Sequence, residues 1–159
     1  MRLALAQINV EGGHVAANRE RAADAIAAAA DRGADVVALP EIFNVGYFAF
    51  DAYQRDAEPL SGPTLSRVSD LADEHGVGVL AGSIVEDLGA TSADDPDAEP
   101  PAEEGLANTS VFFDRDGRRR AVYRKHHLFG YESAESELLV PGESLGIAEF
   151  EGATLGMTT

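Results

Sequence analysis

Ala34–Asp35–Val36–Val37–Ala38–Leu39–Pro40–Glu41–Ile42–Phe43 decides the architecture of this chain. The strand read over Asp35 to Leu39 is continuously apolar from Val36 onward, with no polar alternation. A strand of that kind belongs in a sheet covered on both faces, as in α/β folds. Proline then ends the strand and an acid follows it. In open α/β sheets, groups at the carboxyl ends of strands line the ligand crevice, which makes Glu41 a candidate for chemistry. Walled by the aromatics that follow it (Phe43, Tyr47, Phe48, Phe50 and Tyr53), a carboxylate there suits a general base. The competing role is an ordinary capping or salt-bridging glutamate.

Upstream, Leu3 to Ile8 reads as a buried strand, and Asn18 as the cap of a helix over about residues 19–32 with Gly33 just past its end. Downstream, Pro63 to His75 has an inward stripe of Leu65, Val68, Leu71 and Ala72; Pro63 suits its first turn and Gly76 its stop. Val77 to Ile84 reads as the third strand. Residues 86–104 contain eight acids, three prolines and no basic residue, and read as an exposed, mobile acidic inserted loop. Strands over Asn108–Phe113 and Arg119–Tyr123 flank a turn at Asp114–Gly117, and a hairpin-like pair closes the sequence near Leu145–Phe150 and Thr154–Met157. Strand, helix, strand, helix, strand and then consecutive strands make an α/β sheet with an added hairpin. The last strand is short with no tail after it, which predicts a chain truncated within a central strand.

Composition narrows the function classes. Twenty-eight acids stand against 12 basic residues over 159 residues, a formal net charge of -16. Such a surface repels phosphate backbones and anionic membranes, so neither is an expected partner. High acid with scarce lysine is a halophilic-type composition, in which salt screens the self-repulsion. No apolar run reaches the roughly 20 residues that span a bilayer, and no secretory leader is visible, so a cytoplasmic protein is expected. Cysteine is absent, which excludes disulfides, thiolate metal sites and a cysteine nucleophile within this sequence.

Lys125 is the only lysine among 12 basic residues, just beyond a strand. An ammonium there suits stabilisation of the oxyanion of a tetrahedral intermediate. A carboxylate near it would position or neutralise it; Glu132, Glu135 and Glu137 all qualify, and spacing does not choose among them. His126 and His127 point to opposite faces of an extended segment and chelate one metal poorly, so no metal or cofactor is expected. Asn108 and Thr109 read as strand-edge structural residues able to hydrogen-bond near a pocket. Ser61 and Ser83 lack the spacing of a nucleophile elbow.

Ala38–Leu39–Pro40–Glu41–Ile42–Phe43 with Gly46–Tyr47 resembles the first signature of the nitrilase superfamily of carbon–nitrogen hydrolases, and Tyr123–Arg124–Lys125–His126–His127–Leu128–Phe129 its second. Glu135–Ser136–Glu137–Leu138, followed by Pro141–Gly142, resembles the segment bearing an auxiliary glutamate. Gly82–Ser83–Ile84 and Ala107–Asn108–Thr109–Ser110 fit the linking strands. The resemblance implies a partial α–β–β–α sandwich, with Glu41 as general base, Lys125 as oxyanion stabiliser and Glu135 arranging the site. It also implies a cysteine nucleophile just after Thr159, hence an N-terminal portion that is inactive alone, from a parent that forms homo-oligomers. Asn44–Phe50 and Gly82–Val85 look most like the ω-amidase branch, so small amides are the expected substrates, ahead of nitriles or N-carbamoyl compounds. Gly130 and the acidic insertion depart from that branch. A non-catalytic binding or structural protein on the same half-fold is the competing expectation.

Overall fold

The computed structural model describes residues 1–130 and 133–159. Strands β1 (Leu3–Leu5), β2 (Val36–Ala38) and β3 (Gly78–Leu80) lie parallel and side by side. The long strand β5 (Leu106–Phe113) runs antiparallel to β3 and to β4 (Ile84–Asp87), and carries β6 (Arg119–Arg124) along its other edge. Thr109 faces Ile84 on one side and Arg124 on the other, while Phe112 faces Leu80 and Ala121.

Helices α1 (Val15–Asp31) and α3 (Pro63–His75) cover one face of this sheet. Ala22, Ile26 and Ala29 of α1 pack with Leu65, Val68 and Leu71 of α3 over Val37 and Val79. The other face is covered by a hairpin of β7 (Gly146–Phe150) and β8 (Ala153–Met157), whose Ala148, Phe150 and Met157 meet Val36, Phe112 and Tyr123. The two valines of β2 therefore point into different cores, which is the physical origin of the unbroken apolar run. Burying one valine contributes about 1.5–3 kcal/mol. Three short α-helices, α2 (Phe50–Asp56), α4 (Leu88–Asp94) and α5 (Ala134–Leu138), and a 3-10 turn at Pro96–Ala98 complete the elements among the described residues. None of the described helices is long and apolar enough to cross a membrane.

Several expectations need correction. The chain does not break off within a central strand. β8 lies outside the six-stranded sheet, and all five of its residues pair with β7 across the Glu151–Gly152 turn. A strand near the chain end resembles an interrupted sheet strand in sequence because both alternate apolar residues; here the neighbour is local. Asn18 is not a cap. His14 occupies that position, and Asn18 is buried inside α1. Its side chain accepts from Glu11 N and donates to the Glu11 and Asn44 carbonyls, tying the loop before α1 to the loop after β2. Residues 86–104 are not uniformly loop: they include the end of β4 and all of α4, with Asp87 capping the helix and Glu86, Leu88 and Thr91 buried.

The expected third strand is also divided. Between β3 and β4 the chain turns at Gly82, φ +32°, where a Cβ would collide with the carbonyl oxygens of Leu39 and Pro40. Gly82→Ala is expected to destabilise the protein by more than about 1 kcal/mol, seen as a lower urea midpoint with an unchanged slope. A midpoint equal to that of the unaltered protein would show that the Leu39–Pro40 turn moves aside at no cost.

Candidate active site

The close packing at Gly82 is what holds Glu41. After β2, Leu39 N still donates to Leu80 O at 2.9 Å, and the chain then turns sharply against Gly82 and Ser83. Ser83 Oγ accepts from Ile42 N at 2.8 Å, and Ser83 O accepts from Phe43 N at 3.1 Å. Ile42 is fully buried with φ +43°, a conformation that a β-branched residue adopts only when its surroundings enforce it. The Ser83 hydroxyl and the burial of Ile42 supply that enforcement, and the strained turn aims the Glu41 side chain along the sheet end.

Lys125 arrives from the neighbouring strand end. It follows β6, its N–H donates to Asn108 O at 2.9 Å, and its carbonyl accepts from Gly142 N at 3.0 Å. Its ammonium meets Glu41 Oε1 at 2.9 Å and Glu135 Oε1 at 3.0 Å. Glu135 comes from α5, where Ser133 caps the helix in a capping box with Ser136. Its second oxygen accepts from Phe129 N at 2.6 Å and from the Tyr47 hydroxyl at 3.2 Å.

Burial pushes the Lys125 ammonium toward deprotonation, but hydrogen bonds to Glu41 and Glu135 and their charges outweigh it, so its pKa lies above the ordinary lysine value. Burial likewise pushes Glu135 up, yet the Phe129 N–H, Lys125 and Asn108 together hold its carboxyl below the usual range. Tyr47 is raised, first by burial and then by the Glu135 charge. One ammonium thus sits between two carboxylates, its Nζ 5.6 Å from the Tyr47 ring centroid. Glu41 is the least buried of the three, with a third of its side chain accessible, and it lines a cavity of about 750 Å³ together with Tyr47, Phe48, His14 and Arg55.

Glu41, Lys125 and Glu135 are therefore brought together from sites up to 94 positions apart in sequence. Glu137 is exposed; Glu132 lies outside the described residues. His126 turns away to the Ser144 carbonyl and stacks on Tyr123, and His127 is exposed. Two contributors were not legible as such. Asn108 read first as a strand-edge structural residue, with hydrogen bonding near a pocket as the alternative, and its amide reaches both carboxylates. Tyr47 read as part of an aromatic loop and of the first family signature, with no role of its own, although an aromatic carrying a hydroxyl after the strand-end acid was the available signal.

Residues 2–158 match the Carbon-nitrogen hydrolase family. The chain belongs to that family. Omega-amidase NIT2 of Homo sapiens is 34% identical over 164 residues, covering 98% of this chain and 53% of its own length. The 2-oxoglutaramate amidase of Paenarthrobacter nicotinovorans is 30% identical over 118 residues, covering 74% of this chain and 37% of its own. Among solved structures, Saccharomyces cerevisiae Nit3, a member of branch 10 of the nitrilase superfamily, superposes with a TM-score of 0.80 at 26% identity, covering 98% of this chain and 54% of that one. An amidase from Nesterenkonia sp. gives 0.79 at 25% identity, with 99% and 54% covered.

The chain spans about half the length of the curated relatives it matches. The family match nevertheless runs over almost every residue present, which overturns the expectation of an N-terminal portion defined by stopping just before the cysteine. The 159 residues hold the Glu41–Lys125–Glu135 cluster and contain no cysteine.

Proposed function

We propose that Glu41, Lys125 and Glu135 form the amide-handling site of this member of the carbon–nitrogen hydrolase family, and that linear carboxamides of the ω-amidase type are its ligands. The carrying observation is a single ammonium held at hydrogen-bond distance from two carboxylates, beside a cavity that only Glu41 of the three lines. In this arrangement Glu41 is the proton acceptor. The Lys125 ammonium stabilises negative charge growing on the carbonyl oxygen, and Glu135 keeps the lysine protonated and aimed. One such donor contributes about 2.7–4 kcal/mol to a transition state. The ω-amidase relatives support this ligand class over nitriles.

Cleavage by such a cluster also needs a nucleophile. With a cysteine thiol beside Glu41, sulfur bonds to the amide carbon while the carbonyl π pair moves to oxygen, and the thiol proton passes through Glu41 to the departing ammonia. Water then gives a proton to Glu41, its oxygen bonds to the thioester carbon, and the thiolate leaves and recovers that proton. The 159-residue chain contains no cysteine, so this sequence is closed to it and it binds the amide intact.

The test is a titration of the purified chain with a short primary carboxamide. Lys125 is the sole lysine, so ¹³C-lysine labelling gives one reporter resonance at the site. Saturable movement of that resonance without ammonia release is expected. An unmoved resonance removes the amide reading, and ammonia release that Glu41→Ala abolishes removes the claim that the chain does not cleave.

A further inference from the structure

The contacts around Lys125 close into a ring. Lys125 Nζ donates to Glu41 Oε1 and Glu135 Oε1 at 2.9 and 3.0 Å, and Asn108 Nδ2 donates to the same two oxygens at 2.9 and 3.3 Å. Both donors thus use one oxygen of Glu41. Its other oxygen, Oε2, has no hydrogen-bond partner among the described residues, and Glu41 borders the cavity.

We infer that Asn108 is a positioning residue that selects the working oxygen of Glu41, fixing Oε1 and leaving Oε2 to accept from the N–H of a bound carboxamide. This rests on the amide site proposed above. Lysine alone does not impose such a choice. Its ammonium is a point charge on a flexible stem with three rotatable donors, and it follows a carboxylate that turns. A carboxamide has two N–H bonds fixed in a plane. With one directed at each glutamate, neither carboxylate can rotate without losing a hydrogen bond.

The amide itself is anchored. Asn108 is fully buried within β5, paired in register with Val85, and its carbonyl receives the Lys125 N–H. One residue therefore sets the backbone of the ammonium and the orientation of both carboxylates. Its orientation is also decided by chemistry, since carboxylates accept and only the nitrogen end donates.

An ordinary core role fits Asn108 poorly. Its Oδ1 is buried with no partner among the described residues. A buried amide kept merely for the strand would be expected to satisfy both ends, and an apolar residue of the same size would avoid leaving an acceptor unpaired. The fold retains the unpaired acceptor together with the two donor contacts, which places the value of Asn108 on its nitrogen.

The experiment follows Lys125 by ¹³Cε labelling through a pH titration in the unaltered chain and in Asn108→Leu, Asn108→Ala and Glu41→Gln, with circular dichroism reporting the fold. Leucine keeps the volume and removes both donors; alanine carries the test if leucine does not fold. The expected result is that the Lys125 titration midpoint in the Asn108 variants moves down toward that of Glu41→Gln, because Glu41 swings free of the ammonium. Carboxamide affinity should weaken roughly tenfold, the scale of one lost hydrogen bond to a charged group. A folded Asn108 variant in which Lys125 titrates as in the unaltered chain overturns the inference. If the unaltered chain binds no carboxamide, the amide reading fails by itself, and the lysine titration still decides what Asn108 does.

Discussion

Lys125→Met is expected to lower stability by about 3–5 kcal/mol at neutral pH, the cost of leaving a buried charge without its partner, and to change the pH dependence of the site. The side chain it replaces is 8% exposed and lies against Glu135, which is 2% exposed. In the unaltered protein, Glu135 is depressed, so its contribution is present above its unfolded pKa and fades as pH falls through the folded value. Lys125 is raised, so its contribution is full below its unfolded pKa and fades as pH rises through the folded value. Stability from the cluster is thus a plateau bounded by acid on one side and alkali on the other. Without the ammonium, burial acts on Glu135 unopposed by a cation, and Glu41 stays close by. Protonation then relieves the site, so the variant gains stability as pH falls from neutral into mild acid, where the Glu135 contribution of the unaltered protein is still full. Urea unfolding at the two pH values measures both slopes. Equal slopes in variant and parent would mean that Lys125 carries little of the charge balance assigned to it.

How much of this was legible depended on the range of the forces involved. Helix α3 could be read to the residue, because Pro63 at its first position and Gly76 in the left-handed position after it are local signals. Glu41 and Lys125 could be nominated because strand ends are visible as the places where apolar runs stop. Spacing could not separate Glu135 from Glu137, and only the family resemblance singled it out, since what distinguishes them physically is burial against Phe129, Tyr47 and Asn108, and Tyr47 is 88 positions away. The split between β3 and β4 was hidden for a related reason. Gly82 and Ser83 break the strand to receive the backbone of residues 40–43, a demand from another segment. Acidic composition likewise suggested open loop after Val85, although Asp87 caps a helix and Leu88 and Thr91 are covered. The terminal hairpin was visible as alternation, but whether its last strand belonged to the main sheet was a question of long-range pairing.

Arg124→Leu should be the other severe substitution, and it tests whether the segment beginning at Glu86 is part of the site's support. Arg124 precedes Lys125 on β6 and points into the interior, where its guanidinium grips Glu86 through two 2.8 Å hydrogen bonds. Thr109 Oγ1 donates to the same carboxylate at 2.6 Å. Three strands are thereby tied at one buried carboxylate: β4 through Glu86, β5 through Thr109 and β6 through Arg124. β4 begins directly after the Ser83 clamp on the Glu41 turn, and β6 leads directly into Lys125. Removing the guanidinium leaves Glu86 fully buried with one hydroxyl for company, at a cost of about 3–5 kcal/mol. Glu86→Leu alone strands the guanidinium in the same way. Glu86→Leu combined with Arg124→Leu removes both charges and should cost much less than the two single substitutions added together, because buried ion pairs can often be exchanged for apolar packing. A double-mutant cycle by urea unfolding reads this coupling. Strictly additive losses would show that the pair contributes no mutual stabilisation, and the link from the acidic segment to Lys125 would then have to run through the β-ladder alone.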